Sequence, residues 1–155
     1  MLRHRWTPIL LVAAGLFAIN VISRVILWAT GVQSDVKMTE AGFYSMLAMA
    51  LVGGYAGFRW AKRYEMVRVV GEVSAAIVIA TLLAVFVGPL IVGLSPVDGG
   101  TGIVLRQLGL CFAVCALGAF VGLLIVLAMG ADRKSRAWKA TEDRLRAKPR
   151  RVAKR

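Results

Sequence analysis

A group of polar residues interrupts an otherwise apolar stretch near the amino end of the chain. Asn20, Ser23 and Arg24 stand in the sequence INVISRVILW, where every other side chain is apolar. Residues four positions apart share one face of a helix, so Asn20 and Arg24 would lie one turn apart. An arginine inside a membrane either extends its side chain to the headgroups or pairs with polar groups inside the protein. The sequence leaves both arrangements open.

An internal arrangement requires polar groups from other segments on the same side of the membrane. The candidates are three acids and one amide, Asp35, Glu40, Asp98 and Gln107. We therefore predict an outer polar cluster that consists of Asn20, Ser23, Arg24, Asp98 and Gln107. Such a cluster would suit an anionic headgroup. Positions 9, 12, 13 and 16, which continue inward on the first segment, are apolar, and this disfavours a channel.

The segments that must position this cluster are long and apolar. The chain has 155 residues, a mean hydropathy of +0.72 and 59% hydrophobic residues, whereas a soluble domain has about 45–50%. A membrane-spanning helix needs about 20 apolar residues, and four stretches qualify, at about 7–28, 42–59, 70–94 and 105–129. The sequence predicts an all-α integral membrane protein, with a bundle of four transmembrane helices over residues 1–129 and a basic cytoplasmic tail over residues 130–155.

The first apolar stretch follows a basic amino end, MLRHRW, and secretory signal peptides share this pattern. The residues ATG that follow the stretch would provide a cleavage site. However, the apolar run is long, and Arg24 would interrupt its core. An uncleaved first span is therefore the favoured interpretation.

The distribution of basic residues predicts the orientation of the spans. Of the 20 Lys and Arg residues, all but Arg24, Lys37 and Arg106 fall at the amino end, between the second and third spans, or after residue 129. Basic residues near span ends stay on the cytoplasmic side. Both chain ends are therefore expected in the cytoplasm, with residues 29–41 and 95–104 outside. The same rule explains most of the net charge of +12, and in the absence of a base-reading motif no nucleic-acid partner is expected.

Small residues and one proline characterise the spans themselves. Two G-x-x-x-G pairs, which let helix backbones approach closely, are formed by Gly53 with Gly57 and by Gly118 with Gly122. Packing within the monomer is favoured over a dimer interface for both pairs. Pro89 removes one helical hydrogen bond and predicts a kink in the third span. Such a break is more often a packing feature than a binding site for an ion or substrate.

The final 26 residues are strongly basic. They carry eleven basic and three acidic side chains, and the basic positions in their first part are Arg133, Lys134, Arg136, Lys139, Arg144 and Arg146. We expect the fourth span to continue as a solvated helix that ends before Pro149, with the ion pairs Asp132–Arg136, Lys139–Asp143 and Glu142–Arg146. Such a segment would associate with anionic lipid on the cytoplasmic side or with an acidic surface of a partner protein.

Side chains for catalysis or metal binding are scarce. Cys111 and Cys115 lie one turn apart in the fourth span, where thiols pack as small apolar groups. The single histidine, His4, lies on the opposite side from the external acids, which disfavours a metal site and a Ser-His-Asp set. Glu72 lies at the start of the third span, with Arg68 one turn away. No cofactor, no metal and no enzymatic activity are therefore expected.

These observations favour a small non-enzymatic membrane protein. The first hypothesis is an accessory or scaffold subunit that packs against a larger membrane protein. The alternative is a small oligomeric transporter or lipid-handling protein with a polar site in the outer leaflet, formed by Asn20, Arg24 and Gln107. The Ala-, Gly- and Val-rich spans and the arginine-weighted tail are typical of GC-rich bacteria, which predicts the bacterial inner membrane as the location.

Overall fold

The chain folds into helices joined by short connections. The computed structural model describes residues 3–31, 35–97 and 100–147, so Asp98 of the predicted outer polar cluster and Pro149 lie outside the described residues. Within these ranges the protein is all-helical and has no β-strand. The elements are α1 (Arg3–Ala29), α2 (Asp35–Ala61), α3 (Met66–Leu82), a π-helical turn (Leu83–Val87), α4 (Gly88–Ile91), α5 (Thr101–Ala128) and α6 (Arg133–Ala147).

Four parts of this helical chain are long and apolar enough to cross a membrane. They cover Trp6–Ala29, Glu40–Ala61, Met66–Ile91 and Thr101–Arg146. The last of these comprises α5, α6 and the turn between them. The prediction of four membrane-spanning stretches is confirmed by helix length and composition. α1 and α2 extend past the predicted spans at both ends, and α3 and α5 begin before them, because helical backbone bonds continue through the polar residues that flank an apolar stretch. At the carboxyl ends, the third segment ends at Ile91 and the fourth at Ala128, short of the predicted ends at 94 and 129.

The tightest helix pair is α2 with α5, and small residues bring the two backbones into contact. On α2, a methyl group added to Gly57 would lie 2.5 Å from the carbonyl oxygen of Ala119. A methyl group added to Gly53 would lie 2.9 Å from the carbonyl oxygen of Cys115. Real side chains do not approach a carbonyl oxygen this closely, so only glycine fits at both α2 positions.

The α5 side of this contact is built in the same way. Gly118 lies against the backbone of Ala50, and Gly122 lies against the backbone of Gly54. In lipid, helices associate through close van der Waals packing, and glycine allows the shortest distance between two backbones. All four predicted packing glycines therefore lie at one helix contact inside the monomer.

An apolar core forms beside the α2–α5 contact. α1 packs against α2 and α3, and α3 also contacts α5. The largest fully buried side chains of the described core are Leu16, Met49, Val69, Val85, Val126 and Cys115. The outer faces of the same helices expose leucine, valine and phenylalanine side chains. This distribution is typical of helices that are surrounded by lipid, because lipid solvates apolar side chains as well as a protein core does.

Pro89 lies in a distorted part of the third crossing segment. The π-helical turn separates α3 from α4, which contains Pro89 in its first turn. At the end of the turn, the Gly88 N–H donates a hydrogen bond to the Leu83 carbonyl, five residues back instead of four. Proline has no N–H, and its ring crowds the carbonyl four residues before it. The wider turn accommodates Pro89 without ending the segment.

The expectation that the fourth span continues into the tail as one helix is wrong. α5 ends before Gly130, which adopts a φ of +57° that suits glycine. The Asp132 carboxylate then caps α6 by accepting hydrogen bonds from the N–H groups of Lys134, at 3.1 Å, and Ser135, at 3.2 Å. Hydrogen bonds from Ser135, first from its side chain, hold the pKa of Asp132 below its ordinary value. The cap takes the place of the predicted ion pair of Asp132 with Arg136, which is absent from the described side chains.

Two contacts join α6 to the connection between α2 and α3. The Arg136 guanidinium donates a hydrogen bond to the carbonyl of Lys62. Arg133 forms an ion pair with Glu65, with 3.7 Å between Nη1 and Oε1. Both pairs are largely exposed, so each contributes less than about 1 kcal/mol. The contacts nonetheless bring the basic helix next to the basic α2–α3 connection.

The rest of α6 is exposed and carries the charge of the predicted tail. Of the ion pairs predicted along this helix, Glu142–Arg146 is present, with 2.6 Å between Oε1 and Nη2. Lys139 and Asp143 form no ion pair with each other in the part of α6 whose side chains are described. Trp138 is 75% exposed. α6 therefore presents an aromatic side chain and several cations on a free surface.

Replacing Gly122 by alanine should destabilise the protein, because the added methyl group would overlap the backbone of Gly54. Overpacking of this kind costs about 1–3 kcal/mol, and thermal unfolding of the detergent-solubilised protein should show a lower Tm. The control is Gly109→Ala on the same helix, where an added methyl group meets no atom within 4 Å. That variant should keep its Tm or gain slightly. Equal Tm values for the two variants would show that α2 and α5 do not touch at Gly122.

Candidate functional site

A cavity of about 400 Å³ lies between α1, α2, α5 and the π-helical turn. It is close to the connection between α4 and α5 and far from the basic connection between α2 and α3. Four residues of the predicted outer polar cluster line it, namely Asn20, Ser23, Arg24 and Gln107. The fold therefore brings residues from the first and fourth crossing segments together at one cavity.

Arg24 and Asn20 form a hydrogen-bonded pair in the cavity wall. The Arg24 Nε donates to the Asn20 Oδ1 at 2.9 Å, one turn earlier on α1. The pair lies against the backbone of Gly88, where an added methyl group would lie 3.1 Å from Asn20 Oδ1 and 3.2 Å from Arg24 Nε. Gly88 thus provides the space for the pair. This role of Gly88 was not predicted from the sequence, because a glycine has no polar side chain to indicate it.

Most of the hydrogen-bonding capacity of Arg24 is not used by the described residues. A guanidinium has five N–H donors, and only the Nε–H of Arg24 bonds to a described residue. No carboxylate among the described side chains forms an ion pair with it. Glu40 is exposed, and the side chain of Asp35 lies outside the described part of the chain. The half-buried Arg24 therefore contributes one positive charge and four further donors to the cavity.

Hydroxyl groups add to the polar part of the wall. The Ser23 Oγ donates a long hydrogen bond, 3.5 Å, to the carbonyl of Ala41. Ser45 is only 9% exposed and lines the cavity, and its Oγ has no hydrogen-bond partner in the described part of the chain. A buried hydroxyl without a partner costs free energy. Ser45 therefore offers a donor and an acceptor to a molecule in the cavity.

Two cavity residues with a hydroxyl or thiol group, Ser45 and Cys111, were not predicted from the sequence. Ser45 is a single hydroxyl in an apolar segment, and a search for polar residues at the depth of Arg24 would have found it. Cys111 was assigned to packing together with Cys115, and both thiols are indeed buried and not in a disulfide. Only the packing of α5 against the other helices decides that Cys111 also borders the cavity.

Apolar side chains close the cavity on its inward side. Along α1, Ile9, Ala13 and Leu16 are buried in the apolar core. Farther along, at the basic end of the helices, Glu72 is buried and forms an ion pair with Arg68, with 2.7 Å between Oε1 and Nε. This arrangement favours binding in the cavity over conduction through the helices.

Comparisons with known proteins add no assignment, since no family model, curated protein or solved structure matches the chain. Among the described residues, no group of three His, Cys, Asp or Glu side chains could hold a metal ion. The fold and the site therefore define a class only. The protein is all-helical, has four helices long and apolar enough to cross a membrane, and contains an arginine-lined cavity between them.

Proposed function

We propose that this integral membrane protein binds the anionic head of an amphiphile in the cavity around Arg24. The observation that supports the proposal most directly is the Arg24 guanidinium, whose Nη groups bond to no described residue. An ionisable residue within a membrane-spanning segment is costly and usually serves pairing or function. Since no described carboxylate pairs with Arg24, a phosphate or carboxylate group has the chemistry that fits it.

The remaining wall of the cavity favours an amphiphile over a small inorganic anion. Leu27, Met46 and Val85 supply apolar surface beside the polar groups. The volume of about 400 Å³ lies within the range of about 300–1,000 Å³ that is common for small-molecule sites. The anionic head of the amphiphile would accept hydrogen bonds from Arg24 and Ser45, and the apolar part of the same molecule would contact Leu27 and Met46. This proposal corresponds to a lipid-handling protein.

We infer further that the four helices form a bundle with both chain ends in the cytoplasm. The distribution of Lys and Arg supports this orientation, because all but three of the 20 basic residues lie at the amino end, in the tail, or from Arg59 to Arg68 around the α2–α3 connection. The cavity then lies in the outer half of the membrane. The composition supports the bacterial inner membrane as the location.

A second candidate function is an accessory subunit of a larger membrane complex, and α6 is the feature that favours it. This helix carries exposed Arg and Lys side chains and the 75% exposed Trp138. Aromatic and arginine side chains are enriched at protein interfaces. An acidic cytoplasmic surface of a partner, or anionic lipid, would complement such a helix.

Phosphatidylglycerol should slow the alkylation of Cys111 in the detergent-solubilised Cys115→Ala protein. Cys111 lines the same cavity as Arg24, so a bound headgroup should block N-ethylmaleimide. Replacing both Asn20 and Arg24 by leucine should raise the lipid concentration needed for protection by at least about tenfold, because hydrogen bonds to a charged group contribute about 1.5–3 kcal/mol. The rate of Cys111 modification, followed by mass spectrometry, gives the measurement.

Three controls define the ligand of this cavity. Arg24→Lys keeps the charge and should retain most of the protection. Inorganic phosphate should protect poorly, and protection as strong as that by the lipid would make the ligand a free anion. The double leucine variant should keep its Tm, because replacing both members of a hydrogen-bonded pair by apolar groups is nearly neutral. Equal protection by phosphatidylcholine, or full protection of the double leucine variant, would contradict the proposal.

Cysteine labelling tests the orientation. In a protein that lacks Cys111 and Cys115, the variants Val36→Cys and Gly99→Cys should react with a membrane-impermeant maleimide added to intact cells. Ala140→Cys should react only after lysis, because the basic tail is expected in the cytoplasm. Labelling at position 140 in intact cells would reverse the orientation and assign the cavity to the cytoplasmic leaflet.

The accessory function predicts that a stoichiometric protein partner co-purifies in mild detergent. Truncation after Ala131 should release this partner, because the truncation removes α6 and its exposed Trp138. Quantitative mass spectrometry of the purified material gives the measurement. Trp138→Ala in the full-length chain is a milder variant that leaves the cap and the ion pairs of α6 in place, and it should weaken recovery. Unchanged recovery after truncation would exclude α6 as the contact.

A further inference from the structure

A second cavity, separate from the one at Arg24, follows the exposed side of the α2–α5 contact. It is an open groove of about 550 Å³ with an almost entirely apolar lining. Gly54, Gly118 and Gly122 form its floor, and larger side chains such as Tyr55 and Val121 form its walls. The groove lies where these glycines bring the two backbones into contact, between the larger side chains of the two helices.

The groove continues into a basic pocket of about 340 Å³ at the end of α2. Tyr55 and Phe58 line both the groove and the pocket, and the other residues of the pocket are Arg59, Lys62 and Arg63. Arg59 Nη1 donates a hydrogen bond to the Tyr55 hydroxyl at 3.0 Å, and Lys62 Nζ lies 4.0 Å from the centre of the Phe58 ring. The two aromatic side chains therefore hold two of the three cations at the mouth of the groove.

The positive charge of this pocket is reinforced from α6. Arg136 bonds to the carbonyl of Lys62 and so brings a further guanidinium next to the pocket. The acid closest to the pocket along the chain, Glu65, forms its ion pair with Arg133 of α6. Arg136 of α6 thus adds its charge to the basic residues at the end of α2 and in the α2–α3 connection.

The length of the groove matches one leaflet of a bilayer. Along α5 it extends from Val114 to Ile125, a distance of about 16 Å at about 1.5 Å per residue. Half of a bilayer's hydrocarbon core is about 15 Å. We propose that the groove and the basic pocket together bind one anionic phospholipid of the cytoplasmic leaflet. One acyl chain would lie over the glycine floor, and the phosphate would lie among Arg59, Lys62 and Arg63.

A phospholipid fits this surface better than a second copy of the chain does. Two copies related by a two-fold axis through the groove would have their basic pockets at the same membrane depth, where like charges repel. An anionic phospholipid instead supplies a narrow acyl chain for the groove and a negatively charged phosphate for the cations of the basic pocket. The inference uses the proposed orientation for the name of the leaflet, but it does not depend on the cavity at Arg24.

Lipid titration of the delipidated, full-length protein in detergent tests the proposal. The Asn20→Leu/Arg24→Leu background is used so that the cavity at Arg24 does not contribute. Dioleoyl phosphatidylglycerol should bind with a stoichiometry of one by native mass spectrometry and raise the Tm, whereas dioleoyl phosphatidylcholine should bind far more weakly. Changing Arg59, Lys62 and Arg63 to glutamine should weaken binding about a hundredfold, since each juxtamembrane cation near anionic lipid contributes about a fivefold gain.

Matched variants separate this site from general charge attraction. Changing Lys134, Lys139 and Arg144 of α6 to glutamine removes the same charge from exposed positions that do not line the pocket. This change should leave binding within about threefold of the background, because solvent and salt screen exposed charges. Val121→Trp fills the groove and should abolish one-to-one binding, whereas Leu124→Trp, at a position of similar exposure outside the groove, should not.

Three results would overturn the proposal. The first is equal binding of the two lipids, and the second is equal loss of binding in the two glutamine variants. The third is a lipid-free dimer that Val121→Trp dissociates, because that result would assign the groove to a second copy of the chain. If phosphatidylglycerol fails to protect Cys111 from alkylation, the proposal for the cavity at Arg24 is wrong, but the lipid-binding measurements on the groove are unaffected.

Discussion

The close approach of the α2 and α5 backbones is the contact on which the other features of this protein depend. Glycines on both helices remove the side chains that would hold the backbones apart, so that Gly57 packs directly on Ala119. This distance brings Ser45 of α2 and Cys111 of α5 to the wall of one cavity. The exposed side of the same contact is the groove between the larger side chains of the two helices. One packing solution therefore creates both places where a ligand is proposed to bind.

Placing the Arg24 guanidinium between apolar helices costs free energy, because the cation loses part of its hydration. A cation between membrane helices is retained when something compensates for its lost hydration. Within the described residues, compensation comes from one hydrogen bond to the neutral amide of Asn20, which is weaker than an ion pair with a carboxylate. The cations of the basic pocket, Arg59, Lys62 and Arg63, differ from Arg24 in their hydration. They lie near an end of the helices, where water and headgroups reach them. The two proposed sites thus share a preference for anions but not a mechanism of charge stabilisation.

The sequence-based predictions are wrong where one local sequence pattern is compatible with two different structures. The spacing of Asp132 and Arg136 fits an ion pair on a continuous helix, and it equally fits a helix cap followed by an arginine that bonds elsewhere, here to the carbonyl of Lys62. Gly130 selects the second solution, because its left-handed conformation ends α5 and lets Asp132 begin a new helix. Pro89 likewise predicts a local distortion without specifying its form, and the structure has a π-helical turn before it.

The sequence by itself determined four helices that are long and apolar enough to cross a membrane, because stretches of about 20 apolar residues must satisfy their backbone hydrogen bonds internally in lipid. It also determined that Asn20 and Arg24 share a helix face, since that depends only on the helical repeat. Tertiary structure alone decided that Gly88 packs against this pair and that Ser45 lines the same cavity. Those residues belong to separate segments, and the rotation of each helix about its axis is set by how side chains and glycines pack between helices. That packing is a property of all the contacting surfaces together, and no single segment encodes it.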